Sequence, residues 1–476
     1  MNRSHLRFLC LFGLYLLLPG GLAAEELSNT NPGSIRDISS PAASTASEEH
    51  MQERLNVLWI LLCSALVLVM QPGFLCLETG LTRRKNSINV ATKNLADFCL
   101  AALVFWIVGF GLMFGFSSSG WVGGTRFLPT FNADEPMAGA FFVFQVMFCG
   151  ATVAIMSGAV AERMRFLSYM VVALLISAWI YPVFGHWVRA GQDSGEPMGW
   201  LNRMGFVDFA GASTVHCVGG WMALSVLLII GPRLGRFSKN GVPQRIPGSS
   251  QNTATLGALL LFVGWFGFNG GSTFALNGQV VPILANTLLA ASTGAIAAGA
   301  LGYAIQNRLK VTQFINGCLA GLVASTACCH CVSTHSIVLI GLVAGMIAVG
   351  VGQALEQFRI DDAVGAIPVH LGAGVWGTIA VGLYGDLQLL DTGLNRLQQT
   401  GVQALGVIVC GVWTLGLSQL ILRLVNRVIP LRVSPEEEEL GLNLAEHDEM
   451  EEGEPQHSSA PTSDVPPHVN KPLDLR

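Results

Sequence analysis

Eleven apolar runs long enough to cross a bilayer recur along the chain, at 57–76, 96–116, 138–160, 167–188, 210–231, 253–271, 281–304, 315–333, 335–355, 364–384 and 402–425. Each is closed by a short polar loop. Backbone groups in lipid must be satisfied within the segment, so each run predicts a transmembrane helix. The expected fold class is an all-α membrane protein of about eleven transmembrane helices. The loops alternate in basic content. Arg83, Arg84 and Lys85, Arg163 and Arg165, Arg233 to Arg245, Arg308 and Lys310, Arg359, and Arg423 to Arg432 fall on one side. The other side holds little beyond Arg126, Arg189, Arg203 and Arg396. Basic loops stay cytosolic, which predicts an outer N-terminus and an inner C-terminus across an odd number of spans.

The chain ends agree with that orientation. Residues 1–24 read as a signal peptide, with Arg3 and Arg7 ahead of an apolar stretch and small residues at Gly21 to Ala24. A polar leader over 25–54 is expected to be disordered and periplasmic. The membrane domain is expected over 55–428 and an acidic cytosolic tail over 429–476. Composition fits an inner-membrane, multi-pass protein: 51% hydrophobic residues, 12% charged and a mean hydropathy of +0.53. The 55 glycines suit closely approaching helices. The net charge of −5 gathers in the tail, and no basic patch suggests nucleic acid. Cys328, Cys329, His330 and Cys331 cluster, but their spacing matches no zinc pattern, so neither a metal nor a cofactor is implied.

Two stretches repeat one another. Asp208-Phe-Ala-Gly211-Ala212-Ser-Thr-Val215-His216 is answered by Asp362-Ala-Val-Gly365-Ala366-Ile-Pro-Val369-His370. Each opens a span, the fifth and the tenth, which the loop charges orient oppositely. An inverted five-plus-five repeat with one additional helix follows. A lone His of this kind reads as packing within its own helix. Two at equivalent places point to a site at the repeat interface, because ionisable groups in a bilayer are costly and functional by default. Asp208 and Asp362 are placed to cap their helices.

These residues lie among others that resemble the ammonium transporter (Amt/Mep/Rh) family, over about 57–445. The resemblance rests on Phe144-Gln145-Val-Met-Phe148, Ala161 to Phe166, Asp208 to His216, Gly264-Trp-Phe-Gly-Phe268-Asn-Gly-Gly-Ser272, Asp361 to His370, and Leu431 onward. It implies a homotrimer in the lipid bilayer, each subunit with its own narrow pore for ammonium or ammonia. Phe144 belongs to the outer aromatic motif, and Phe148 with Phe268 would be a stacked gate. Ser272 would hydrogen-bond incoming ammonium, Asp208 would order backbone carbonyls, and His216 with His370 would be paired imidazoles along the pore. A PII-type signalling protein is the partner the resemblance suggests at the C-terminal region. The physics agrees: a bare cation in an apolar pore sheds its proton, and imidazoles relay one near neutral pH.

Two positions depart from the family pattern. Arg189 stands three residues after His186, where the family usually carries Trp, and Gly365 stands where many members carry Asp. A guanidinium about 6–8 Å from the entering cation repels it by about 2–3 kcal/mol at an effective dielectric near 20. Alternatively, Arg189 turns to solvent and pairs with Asp193 or Glu196, with Trp187 filling in. A conducting transporter with a paired-histidine relay is the leading expectation. The alternative is a non-conducting ammonium receptor signalling through its tail. No nucleophile–base set suggests an enzyme.

Overall fold

The computed structural model describes residues 41–450. Within them, eleven helices are long and apolar enough to span a membrane. These are α1 (Glu48–Leu81), α2 (Arg84–Phe114), α3 (Pro136–Val160), α4 (Phe166–Arg189), α5 (Ala212–Ile230) and α6 (Gln251–Gly271). They continue with α7 (Val280–Gln306), α8 (Val311–Cys328), α9 (Thr334–Gln357), α10 (Ile367–Tyr384) and α11 (Arg396–Val428). The all-α, eleven-span class is as expected, with only two isolated β-bridges among the described residues.

Several boundaries differ for identifiable reasons. The chain is already helical from Pro41, so 41–54 of the expected disordered leader are helix. Ala, Glu, Gln and Arg there are good helix formers, and extending an existing helix is far easier than nucleating one. The expected signal segment and the rest of the leader lie outside the described residues. Helix α2 begins at Arg84 rather than near 96. Its first half carries Asn89, Lys93, Asn94 and Asp97, all buried. Hydropathy reads such a stretch as loop, although its polar groups face other helices.

Loop contacts define two faces. On the basic face, Arg233 pairs with Asp361 (2.8 Å) and Glu162 (2.6 Å), Arg83 pairs with Glu162, and Met164 bridges to Arg432. On the opposite face, Trp200 N–H donates to Gly120 O, Phe209 N–H to Ala327 O, and Asp386 N–H to Cys331 O. Helix α5 therefore starts at the face opposite the basic one and α10 starts at the basic face, the antiparallel relation an inverted repeat requires.

The equivalence extends to the backbone. Gly211 and Gly365 occupy matching places and both take left-handed φ, +112° and +82°. Each precedes a π-helical turn, Ala212–Cys217 and Ile367–Gly372, that carries the histidine. A side chain at either glycine would strain that turn. Small residues also set the contact of α7, α8 and α9. A Cβ at Gly321 would stand 2.0 Å from Ala290 O, and one at Gly345 would stand 2.2 Å from Gly294 O. Gly321→Ala should therefore force these helices apart at a cost of about 1–3 kcal/mol. Its thermal aggregation midpoint in detergent should fall below that of the parent.

The tail is partly folded. Helices α12 (Pro435–Leu440) and α13 (Leu442–His447) dock on the basic face. Asn443 Oδ1 accepts from Ile88 N (2.9 Å) and Asn89 N (3.1 Å), satisfying donors in the first turn of α2. Glu446 accepts from Phe166 N (2.6 Å), and Glu438, buried, accepts from Leu234 N (2.7 Å). The sequence after Leu444 reads as too acidic and too poor in apolar residues to fold; the helix nevertheless runs on to His447, where the Glu446 carboxylate finds a helix-start N–H group. Residues 451–476 lie outside the described residues.

Candidate functional site

Helix α3 sets Phe144 and Phe148 one turn apart on one side, with ring centroids 4.7 Å apart. Helix α6 brings Phe268 onto Phe148, stacked at 4.0 Å with planes 25° apart. Phe144 fits only because residue 271 is Gly, where a Cβ would lie 2.6 Å from its ring. Ser272, at the end of the same helix, donates to Phe268 O (2.9 Å), leaving its lone pairs as acceptors. All of these side chains are buried.

Behind Phe268 lie the histidines. His216 is 5.4 Å from Phe268 and stacks on Trp265 at 5.2 Å, with planes 16° apart. Trp265 is itself held by an Nε1–H donation to Thr326 Oγ1 (2.9 Å). His216 and His370 meet Nδ1 to Nδ1 at 3.1 Å, with their rings nearly parallel. A hydrogen bond between two Nδ1 atoms needs one of them protonated and the other bare, so the two neutral rings must be opposite tautomers. Nε2 of His216 has no protein partner. His370 faces the other way, onto a cavity of about 20 Å³ shared with Phe74, Glu78 and Asn316. The side chains thus follow one another as Phe148 with Phe268, His216, His370, cavity.

Asp208 lies apart from this column. Its Oδ2 accepts from Ser213 N (3.1 Å), Thr214 N (2.8 Å) and Thr214 Oγ1 (2.9 Å), holding the turn that carries His216. Burial pushes its carboxyl up, against those hydrogen bonds. Asp362 holds the matching turn through Gly365 N (2.9 Å) and Ile367 N (2.7 Å).

Arg189 is the departure that matters. It is buried, with its guanidinium 5.3 Å from the centre of the Phe148 ring. It donates to Gln192 Oε1 (3.1 Å) and Phe209 O (3.3 Å), and Nη1 has no partner. The solvent-facing alternative is overturned, since Asp193 is taken by Arg126. A cation therefore already lies over the Phe148 ring. Trp187 does not fill in, because it belongs to a separate cluster with Trp121, Trp200 and Trp413.

Four polar residues had no part in the expected site. Gln145 is buried with neither amide atom partnered, and the Tyr181 hydroxyl is likewise unpartnered. His330 stacks on Phe209 at 4.3 Å and lines a cleft of about 350 Å³ with Arg189 and Asp208. Burial lowers this imidazole to about 4, so it is neutral. Glu78 is the fourth. A polar residue inside the apolar run 138–160 was the available signal for Gln145, whereas Glu78 stands just past the run 57–76 and had none.

These features describe a polytopic α-helical membrane protein whose two inverted halves each contribute one imidazole to a buried pair beneath stacked aromatics. The sequence profile of the Ammonium Transporter Family matches residues 58–452, and the chain belongs to that family. A Synechocystis sp. protein provisionally named an ammonium transporter is 50% identical over 398 residues, 83% of this chain and 73% of its own. Ammonium transporter Amt2 of Archaeoglobus fulgidus is 39% identical over 428 residues, covering 86% and 90%. Among solved structures, a "Sensor Amt Protein" superposes with a TM-score of 0.80 at 39% identity, over 84% of this chain and all of that one. Candida albicans Mep2 follows with a TM-score of 0.73 at 26% identity, over 81% and 87%.

Proposed function

We propose that the chain takes up ammonium across the bacterial inner membrane, removing the substrate's proton at the His216–His370 pair and passing ammonia and proton inward. The Nδ1···Nδ1 contact directly behind the stacked phenylalanines carries this reading. Ammonium gives a proton to the free Nε2 of His216, its N–H bond breaking as the imidazole N–H forms. The Nδ1 proton then crosses to His370, whose other nitrogen releases one in turn. One proton enters and one leaves, and neither ring carries charge for long in an apolar surrounding. The basic face is then cytosolic and the α2–α3 and α4–α5 loops periplasmic. A homotrimer, and a PII-type protein at the docked tail, belong to the same reading. The experiment is an ammonium concentration jump on proteoliposomes, recorded as a transient current. A current that decays faster at higher protein density supports transport.

A second reading, an ammonium receptor that does not conduct, is favoured by Arg189. Its charge on Phe148 opposes a second cation by about 2–3 kcal/mol at distances of roughly 6–8 Å and an effective dielectric near 20. Arg189→Trp should therefore tighten ammonium binding at the mouth by roughly tenfold or more. It should also raise current at low ammonium, or create current in a chain that carried none. Calorimetric affinity and current both unchanged would show that Arg189 does not govern entry.

A further inference from the structure

A proton that reaches His370 needs an acceptor on the far side, and the chain has one that no family motif quoted above contains. The cavity of about 20 Å³ behind His370 is lined by Glu78, Asn316, Gly158 and Gly365 as well as by Phe74. That volume holds about one water-sized molecule, and its polar lining gives such a molecule partners. Glu78 sits in the last turn of α1, toward the basic face, and is buried. Its Oε2 accepts from Ser157 Oγ (2.9 Å) and Asn94 Nδ2 (3.1 Å). Room for the carboxyl comes from Gly158, where a Cβ would lie 3.1 Å from Glu78 Cγ and 2.6 Å from Val364 Cγ2.

The groups around Glu78 make it exchangeable. Helix α2 supplies Lys93 and Asp97, α4 supplies Tyr169, and α10 supplies His370. Lys93 Nζ donates to Met164 O (2.9 Å) and stands 5.4 Å over the Tyr169 ring, and Tyr169 donates to Asp97. Lys93 interacts electrostatically with both Glu78 and Asp97, and with Glu446 of the docked tail. One buried ammonium faces two carboxylates inside the bundle. That set is neutral when it holds one extra proton, so a carboxyl able to gain and lose a proton is built in. The small cavity shares Asn316, Val364 and Gly365 with a cleft of about 280 Å³ at the basic face, lined by Lys310, Arg236 and Asp362.

We propose that Glu78 accepts the substrate proton from His370 and releases it to the basic-face cleft. The N–H bond on the His370 nitrogen not engaged with His216 breaks as an O–H bond forms on Glu78, across the one-molecule cavity. That O–H bond later breaks to water in the cleft, restoring the carboxylate. This rests on the paired-histidine reading above, extending it from pair to exit.

Infrared difference spectroscopy tests it independently of conduction. Reconstituted full-length protein is compared in ammonium and in sodium, beside Glu78→Gln and Glu78→Asp. A protonated-carboxyl band should rise with ammonium in the parent, vanish in E78Q and shift in E78D. Because E78D keeps an acid, the assignment stands even if E78Q fails to assemble. In the ammonium-jump assay, E78Q should lose roughly 10²-fold in current while E78D keeps most of it. The Glu78 band present with no current in any chain would overturn transport and leave the acceptor role in place. Absence of an ammonium-dependent Glu78 band, or a parent-sized current in E78Q, would overturn the proposal, leaving Glu78 a packing residue.

Discussion

His370→Ala, His216→Ala and the double replacement should all reduce the ammonium-jump current by about 10²–10⁴-fold, to nearly the same level. A relay whose two members act as a unit loses almost everything with the first removal, so the losses do not add. The structural basis is the single 3.1 Å Nδ1···Nδ1 contact. Without either ring, the remaining imidazole has no partner to hand its proton to. The fold should survive, because each ring's hydrogen bond is to the other ring alone and the π-turns are held by Asp208 and Asp362. Binding of ammonium outside Phe148, read by calorimetry, should change little. An ammonium current of parental size and selectivity in any of the three variants would sink the relay. Additive losses would mean two separate sites rather than one pair.

What was legible beforehand had a common character: it was encoded by identity at fixed spacing. Asp208, Gly211 and His216 recur as Asp362, Gly365 and His370, and the capped helix starts and a shared site at the repeat interface followed from that register, while the left-handed φ of the two glycines did not. Phe148 on Phe268 was readable only through family resemblance, since two phenylalanines far apart in sequence give no other sign of stacking. What was not legible depends on which way a side chain turns and what covers it. Arg189 reads equally well as solvated or inward, and only the nearby Phe209 carbonyl and Gln192 amide fix it over Phe148. The polar half of α2 reads as loop, because hydropathy cannot see that Lys93, Asn94 and Asp97 are buried against Met164, Glu78 and Tyr169 of other segments. The run Glu436 to Glu439 reads only as part of the acidic tail. Yet Glu438 is buried against Leu234 N–H and Arg432, an outcome set by a loop two hundred residues away.

The same dependence on distant partners makes Asp361→Ala the most destabilising single change expected. Asp361 is buried on the basic face, accepting from Arg233 N (3.0 Å), Nε (2.8 Å) and Nη2 (3.0 Å), and from Arg236 Nε (3.2 Å), while Arg163 donates to its carbonyl. Removing the carboxylate leaves Arg233 and Arg163 buried with too little negative charge. Breaking a buried pair from one side costs about 3–5 kcal/mol. The loops after α3, α5 and α9 all meet there, so the loss falls on the joint between the two repeats. Burial alone would push this carboxyl up, but hydrogen bonds from Arg233 and the charges of Arg233 and Arg163 outweigh it and hold it well below the usual carboxylate range. A depressed carboxyl contributes stability that is fully present above about pH 4 and is lost only as pH falls further, toward its folded value. The parent should therefore lose thermal midpoint between about pH 4 and strongly acid conditions. Asp361→Ala should start lower at neutral pH and show a shallower decline across that window. A variant with the parent's neutral-pH midpoint, or one whose midpoint falls as steeply in acid, would show that the Asp361 cluster does not hold the two halves together.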